Sequence, residues 1–504
     1  MSTFIYAPLR SLYRALDKLL LSRLQLRQQL AMKGAVLHLV RALFPSRLLV
    51  TSASQLVSNR HATDQSWSWK PPALPQWVRD EMDALALIDP SLHSQGDLLR
   101  EATFYSAPWC NDKPGKVYGS LRRALKEPVD VVIAVPWLKT GGADLGAIHV
   151  ANALADELGQ RVLVLATEAS ASPWAKRLSP KVQFIAAGDS LASIEPDYRL
   201  DVLVRFLLQL TPRVFHVMNS VLAWKVVARN GLALRQSMKL YASLYCDDFT
   251  PSGLPVGYAR DYLPRCYHML EAVISDNSQT WRAWVKDMGV PSSLFRVLPF
   301  PAPAVKSTRS GSANGKALLW AGRLDRQKRP DLLARLAAAL PDFRFDVYGA
   351  AVLDQENLEG LRKLSNVRMC GAYERFSELV TTDHLAFVYT TAWDGLPNVL
   401  LEAAAAGLPI VAPNVGGISD FIPAADLVAT GEDLTGYVNA IQVLASDTVR
   451  RASQCRALRE QLAQRCWAVF VENLRCLNGY VAPPLADMPR DIVKMSPKRE
   501  SGLA

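Results

Sequence analysis

Residues 394–417 read Asp-Gly-Leu-Pro-Asn-Val-Leu-Leu-Glu-Ala-Ala-Ala-Ala-Gly-Leu-Pro-Ile-Val-Ala-Pro-Asn-Val-Gly-Gly. The stretch holds a turn, a helix and a strand, in that order. Gly395-Leu396-Pro397 is turn chemistry, and a helical pattern opens near Asn398. Gly407 ends the helix, and Pro409-Ile410-Val411-Ala412 is an apolar run of strand type. A helix that starts in such a turn points unpaired backbone N–H groups outward, backed by the positive end of its dipole. That is a docking point for a diphosphate. Asp394 and Glu402, separated by seven residues, can accept hydrogen bonds from hydroxyls on either side of it, as a nucleotide sugar requires.

Moving upstream, the pattern alternates between strand and helix from about residue 128. Asp130–Val135, Arg161–Thr167, Val182–Ala187, Val214–Met218, Lys239–Leu244 and Ala272–Ser275 read as buried parallel strands. After a Pro/Ser/Gly/Ala-rich linker, Pro299–Asn314, a second set follows. Its strands are Ala317–Ala321, Phe343–Tyr348, Val367–Cys370, Leu385–Thr390 and Pro409–Ala412, with Leu427–Thr430 a candidate sixth. The alternation predicts an α/β protein of two Rossmann-like domains facing across a cleft, preceded by a helical or irregular N-terminal extension. The expected division is 1–127 (basic and Trp/Pro-rich extension), 128–300 (acceptor domain), 315–465 (donor domain), 466–480 (a helix) and 482–504 (a disordered tail).

A second constellation opens the second set. Trp320-Ala321-Gly322-Arg323-Leu324-Asp325-Arg326-Gln327-Lys328-Arg329-Pro330 follows a strand and precedes a helix that Pro330 can start. Arg323 offers a planar fork to phosphate oxygens and Lys328 a mobile point charge. The competing reading is a solvated basic loop, which is retained for Arg326 and Arg329. No Asp-x-Asp occurs in the chain. The charge of a departing diphosphate would therefore fall to protein cations and helix ends, so no metal and no cofactor is expected.

Taken together, these residues resemble the donor-site signature of retaining glycosyltransferases of the two-Rossmann (GT-B) fold, family 4, also called glycosyl transferases group 1. The family usually carries Glu where Asp394 stands, one methylene longer. The resemblance covers roughly residues 128–480. It implies that Arg323, Lys328 and the N–H groups of Val399 and Leu400 stabilise the leaving diphosphate. It further implies that Glu402 binds the ribose and Asp394 the donor sugar, with Gly395 and Asn398 shaping the same pocket. Tyr373 would stack on the nucleobase, or else is an ordinary half-buried tyrosine. The helix 466–480 would cross back to the first domain.

In the first domain, Pro136-Trp137-Leu138-Lys139-Thr140-Gly141-Gly142-Ala143-Asp144 follows the first strand. The family carries a Gly-Gly pair here, so Gly141 and Gly142 are donor-side candidates. A dinucleotide loop using Gly141, Gly146 and Glu168 is the alternative, against which Ala143 takes the middle glycine's place. Acceptor-side candidates are Asp144, His216, Asn219 and Tyr245. His216 reads equally as a satisfied core histidine, and Tyr245 stands where the family usually has a histidine. Asp247 and Asp248 are substitutes for it or solvated loop acids.

The chain has 504 residues, half of them apolar and 21% charged, an ordinary soluble-globular balance with no run long enough to span a bilayer. Seven scattered cysteines without a C-x-x-C pair, and no apparent signal peptide, predict reduced thiols in the cytoplasm. Of the net charge of +10, residues 1–50 contribute eight basic residues against the single acid Asp17, interleaved with leucines at helical spacing. This predicts a helix lying on an anionic membrane surface at the inner face of the plasma membrane, or one packing its leucines on the body. No nucleic-acid motif accompanies the charge. The expected partners are a nucleotide-sugar donor and a glycan or lipid-linked acceptor, as in bacterial surface polysaccharide synthesis. A non-catalytic sugar-nucleotide scaffold and a nucleotide-sugar epimerase on the same fold are the alternatives.

Overall fold

The computed structural model describes residues 76–89, 112–169, 171–303, 315–350 and 358–481. The basic segment 1–50 and the tail 482–504 lie outside them, as do Trp67, Trp69 and Trp109. The chain divides into two units, 1–112 and 113–504. Of the first, the described part is one helix, α1 (Gln76–Leu85), followed by a turn in which Leu87 and Ile88 are exposed.

The second unit opens with α2 (Lys113–Ala124), which lies against α4 (Pro196–Leu210) through Val117 and Leu121. It therefore packs on the first sheet's layer. That sheet has seven parallel strands: β1 (Val131–Val135), β2 (Val162–Ala166), β3 (Gln183–Ala186), β4 (Val214–Met218), β5 (Lys239–Ser243), β6 (Ala272–Ser275) and β7 (Phe295–Val297). Their order is β3-β2-β1-β4-β5-β6-β7. β1, β2 and β4 are buried along their whole length. Such strands show no alternation because helices cover both faces. α3 (Gly142–Asn152) and α5 (Val221–Leu234) are two of these helices.

The second sheet runs β10-β9-β8-β11-β12, again parallel throughout. Its strands are β8 (Ala317–Ala321), β9 (Arg344–Tyr348), β10 (Val367–Gly371), β11 (His384–Val388) and β12 (Ile410–Val411). α6 (Pro330–Ala339), α7 (Asn398–Ala405) and α8 (Thr448–Ala463) pack around it. The last helix, α9 (Trp467–Arg475), belongs to the other sheet. Phe470, Val471, Leu474, Leu477 and Tyr480 lie in the same core cluster as β1 and β2.

Three sequence expectations change. β7 was not foreseen: it is three residues long at a sheet edge, with Arg296 and Val297 exposed. The candidate sixth strand at Leu427–Thr430 contributes a single parallel bridge, Pro413 to Val428. The first residues of the linker are part of the first lobe, because the Phe300 ring fills the space a Cβ on Gly146 would need, 2.3 Å away. Residues 304–314 lie outside the described ones.

Candidate active site

The site forms where the second sheet's strand-end loops meet those of the first. After β8, the chain turns through Arg323–Asp325 into a one-turn 3-10 helix, Arg326–Lys328, capped by the Asp325 carboxylate on the Lys328 N–H at 3.1 Å. This loop is stitched to the loop after β11. Ala392 N–H donates to Gln327 O at 2.8 Å, the Thr390 hydroxyl to Lys328 O at 2.7 Å, and Gln327 Nε2 to Trp393 O at 2.8 Å. Two loops that are 60 to 70 residues apart in sequence thereby become one rigid surface (|i−j| of 62 and 66).

On that surface Lys328 is 9% exposed. Its ammonium donates to the Tyr389 hydroxyl at 2.6 Å and to Asp394 Oδ2, and the Tyr389 hydroxyl donates to the same carboxylate oxygen at 2.6 Å. The other oxygen, Oδ1, accepts from Gly395 N–H at 3.1 Å. An ammonium has three donors, so one remains after these two bonds. Arg323 is held by Gln327 Oε1 at 2.6 Å and Asp325 at 3.3 Å with its guanidinium largely open. Its charge reaches Tyr389, where it works against the burial that raises the phenol's pKa.

Asn398 follows N-cap Pro397, which offers no side-chain cap to α7. Asn398 and Val399 N–H find no acceptor among the described residues, whereas Leu400 N–H donates to Pro397 O at 3.0 Å. The expectation that Leu400 offers its N–H is thus corrected: the helix opens with a tight turn that consumes it, and Asn398 takes its place. Across the cleft stands the uncapped N-terminus of α3, where Asn398 Nδ2 reaches Gly142 O at 3.5 Å. A Cβ on Gly141 would stand 3.5 Å from the Asp144 carboxylate and one on Gly142 3.4 Å from Asn398 Nδ2, ordinary contacts, so the packing does not demand glycine at either position.

One α7 turn on, the Glu402 carboxylate makes no hydrogen bond among the described residues, and burial pushes it up to about 7, opposed by the charge of Arg177. Tyr373 is pushed up to about 12 by burial and, secondarily, by the charge of Glu402. Arg177 belongs to the first lobe and lies 3.9 Å over the Trp174 ring. Its relation to Glu402 is across the cleft and left no signal in the sequence.

The first lobe contributes a further carboxylate that sequence reasoning missed. Asp276, at the end of β6, is 4% exposed and accepts from Leu396 N–H at 3.1 Å and Asn277 Nδ2 at 2.7 Å. Burial raises it to about 7. Gly395 is required opposite it, since a Cβ would lie 3.0 Å from Tyr245 O and 3.1 Å from the Asp276 carboxylate. Arg326 is a second bridge. It donates to Phe249 O and to Thr250 O (3.0 Å) while its guanidinium covers Trp393 at 4.8 Å. Arg329 pairs with Asp331 at 2.8 Å and with Glu432, its side chain 13% exposed. Arg326 is exposed, as its loop position suggested, though it is bonded across the cleft, whereas Arg329 is largely buried in its ion pairs.

The acceptor-side candidates separate. Asp144 and Asn219 line a cavity of about 370 Å³ at the ends of β1, β2 and β4, together with Trp137, Glu168 and Tyr258. His216 does not reach it. It is fully buried, with Nδ1 on the Tyr480 hydroxyl at 2.6 Å and Nε2 on the Ser243 hydroxyl at 2.8 Å, and burial lowers it to about 3. It is a neutral core histidine. Tyr245 packs on Phe300 at 5.5 Å, and burial raises its phenol. Asp247 is occupied by Arg260 and Trp284 Nε1, and Asp248 caps Phe249 N–H at 2.8 Å.

Two parallel sheets of Rossmann type with a cleft between them are the GT-B fold. HepE from Anabaena, solved with UDP, superposes with a TM-score of 0.56 at 18% identity, covering 69% of this chain and 98% of its own. Residues 315–447 match the family model of glycosyl transferases group 1. The chain is 31% identical over 125 residues to the O-antigen biosynthesis glycosyltransferase WbnH of Escherichia coli, 24% of this chain and 35% of that one. It is also 28% identical over 272 residues to a GDP-mannose-dependent phosphatidylinositol monomannoside mannosyltransferase of Mycobacterium tuberculosis, 48% of this chain and 69% of that one. The chain thus spans about a third of the O-antigen relative's length. No described helix is long and apolar enough to cross a membrane.

Proposed function

We propose that this protein transfers a sugar from a nucleotide diphosphate-sugar to an acceptor hydroxyl, with retention at the anomeric carbon. The observation that carries the reading is the meeting of Lys328, Arg323 and the open N-terminus of α7 on one surface, facing the α3 N-terminus. Cations and helix ends fixed in advance stabilise negative charge as it develops on the departing diphosphate, with no reorganisation at the moment of reaction. Asp394, oriented by three donors, would receive a hydroxyl of the donor sugar. Glu402, lacking a protein partner, would receive the ribose, with Tyr373 beside the base. Residues 315–465 take the donor in this scheme and 128–300 the acceptor, and neither step calls on a metal.

The test is a thermal-shift screen against UDP-, GDP-, ADP- and dTDP-sugars, since a ligand that binds the folded state raises apparent stability. Turnover with an acceptor panel follows. Arg323→Ala should abolish turnover while leaving the melting temperature of the free protein unchanged, because the side chain is 57% exposed. Unaltered turnover in that variant would remove the diphosphate assignment. Asp394 in place of the family's Glu favours a second reading, a sugar-nucleotide binder without turnover. A shift with donor and no product with any acceptor would establish it.

The basic segment 1–50 is assigned to an anionic membrane surface, which would place the enzyme at the inner face of the membrane and its acceptor among lipid-linked or surface glycans. Deleting residues 1–50 should release the protein from anionic vesicles while preserving donor hydrolysis. Vesicle binding that survives the deletion defeats the assignment.

A further inference from the structure

The cavity at the ends of β1, β2 and β4 has a character opposite to that of the donor surface. About 370 Å³ is the size of a small-molecule cleft. Its polar lining is two carboxylates and an amide. Asp144 Oδ2 accepts from Lys139 N–H at 3.0 Å, and Glu168 Oε1 from the Thr167 hydroxyl at 3.1 Å and Leu222 N–H at 3.4 Å. Among the described residues no donor is found for the second oxygen of either group. Trp137 and Tyr258 supply flat apolar walls of the kind that the C–H face of a sugar ring packs on. The Tyr258 hydroxyl is itself used, donating to Asn219 O at 2.6 Å. That bond fixes Asn219 in a left-handed conformation, φ 58°, at the turn out of β4. Asn tolerates this conformation better than most residues, and it leaves the amide on the cavity wall.

Among the described residues no Lys or Arg lines the cavity. Lys139, whose charge Asp144 feels, is held over the Trp137 ring at 4.4 Å instead. We propose that this cavity seats the acceptor as an uncharged, hydroxyl-rich sugar and discriminates against one carrying a phosphate. The proposal rests on the glycosyl-transfer reading above and adds the acceptor's chemistry to it. Sugar hydroxyls donate to the open carboxylate oxygens, and Asn219 can serve as donor or acceptor. A phosphate in the same space would face two carboxylates with no cation on the described lining, the nearby Lys139 ammonium being held on the Trp137 ring. That repulsive element sets specificity as firmly as the attractive contacts do.

Saturation-transfer NMR on the full chain tests this with methyl glycosides of glucose, galactose, mannose and N-acetylglucosamine and with the 6-phosphates of the same sugars. At least one uncharged glycoside should bind, with its phosphate at least tenfold weaker. Trp137→Ala and Glu168→Gln should each weaken the glycoside about fivefold or more, and Glu168→Lys should narrow the gap between glycoside and phosphate. The thermal shift with nucleotide should be unchanged in all three variants. A phosphate that binds as well as its parent sugar overturns the proposal. So does the absence of glycoside binding, or binding indifferent to Trp137→Ala and Glu168→Gln. Loss of the nucleotide shift in the unmodified chain is a different failure, which strikes the donor reading and leaves the sugar-binding result standing.

Discussion

The two lobes present opposite faces to one cleft. The second lobe brings Arg323, Lys328 and an open helix end, tied into a stitched pair of loops. The first brings Asp144, Glu168, Asp276 and aromatic walls, with Arg177 as its cation near the Glu402 pocket. What differs is the way each face is built. The second-lobe surface is a polar network in which Lys328, Tyr389 and Asp394 are tied to one another and Gln327 to the neighbouring loop, while the Arg323 guanidinium and the first α7 N–H groups stay largely open. The first-lobe cavity is a space with carboxylate oxygens left over. A diphosphate carries concentrated charge and rewards preorganised cations. A hydroxyl-rich ligand rewards spare acceptors.

Substitutions at three positions break or sharpen this contrast. Lys328→Met should have the largest effect, lowering turnover by about 100-fold or more, the cost typical of losing one transition-state donor. It should also cost on the order of 3 kcal/mol in a denaturant melt, because the Asp394 carboxylate is left buried without its cation. Full turnover in this variant would mean that the second lobe's charge is structural only.

Glu402→Gln should act at an intermediate level and with a pH signature. In the fold Glu402 is raised from 4.5 to about 7 by burial. The folded state therefore holds its proton where the unfolded chain has released it. The group's favourable contribution is complete below about pH 4.5 and lost as pH rises through 7. The variant should melt higher than the parent at pH 8, by on the order of 1–2 kcal/mol, and equally at pH 4. Its nucleotide affinity by calorimetry should fall about tenfold at pH 8 if the carboxylate takes the ribose hydroxyls. A pH-independent difference in melting would show that the carboxylate is solvated.

Gly142→Ala is the smallest expected effect. Its added methyl would stand 3.4 Å from Asn398 Nδ2, a distance a flexible amide can absorb. Donor affinity should change less than about threefold, near or below 0.7 kcal/mol. A larger loss would show that the two helix tips close more tightly around the diphosphate than the ligand-free spacing indicates.

The parts legible in the sequence were those with short-range signatures. β1 and β2 are runs of Val, Ile, Leu and Ala, and β4 and β5 are mostly apolar segments, all bounded by turns. The donor surface lies within loops whose residue types are individually unusual, such as Lys328 before Pro330 and Asp394 before Gly395. The groups that were missed act across large sequence distances: Asp276 on Leu396 with |i−j| of 120, Arg326 on Phe249 and Thr250, and Arg177 on Glu402. No periodicity encodes such a pairing. His216 was ambiguous for the same reason, because its partner Tyr480 arrives 264 residues later.

That late arrival bears on how the polypeptide is made. Arg213 donates to Gly479 O and Tyr480 O at 2.8 Å, and the Tyr241 hydroxyl to Asn478 O at 2.5 Å. The first lobe is thus topologically interrupted: its final segment is synthesised only after the whole second lobe has been translated. Emerging from the ribosome, β1 to β7 must wait with an unfilled groove beside His216, while the inserted lobe folds on its own contiguous sequence. A nascent chain stalled before residue 480 should therefore carry a finished second lobe on an unfinished neighbour, where exposed apolar surface invites chaperone capture.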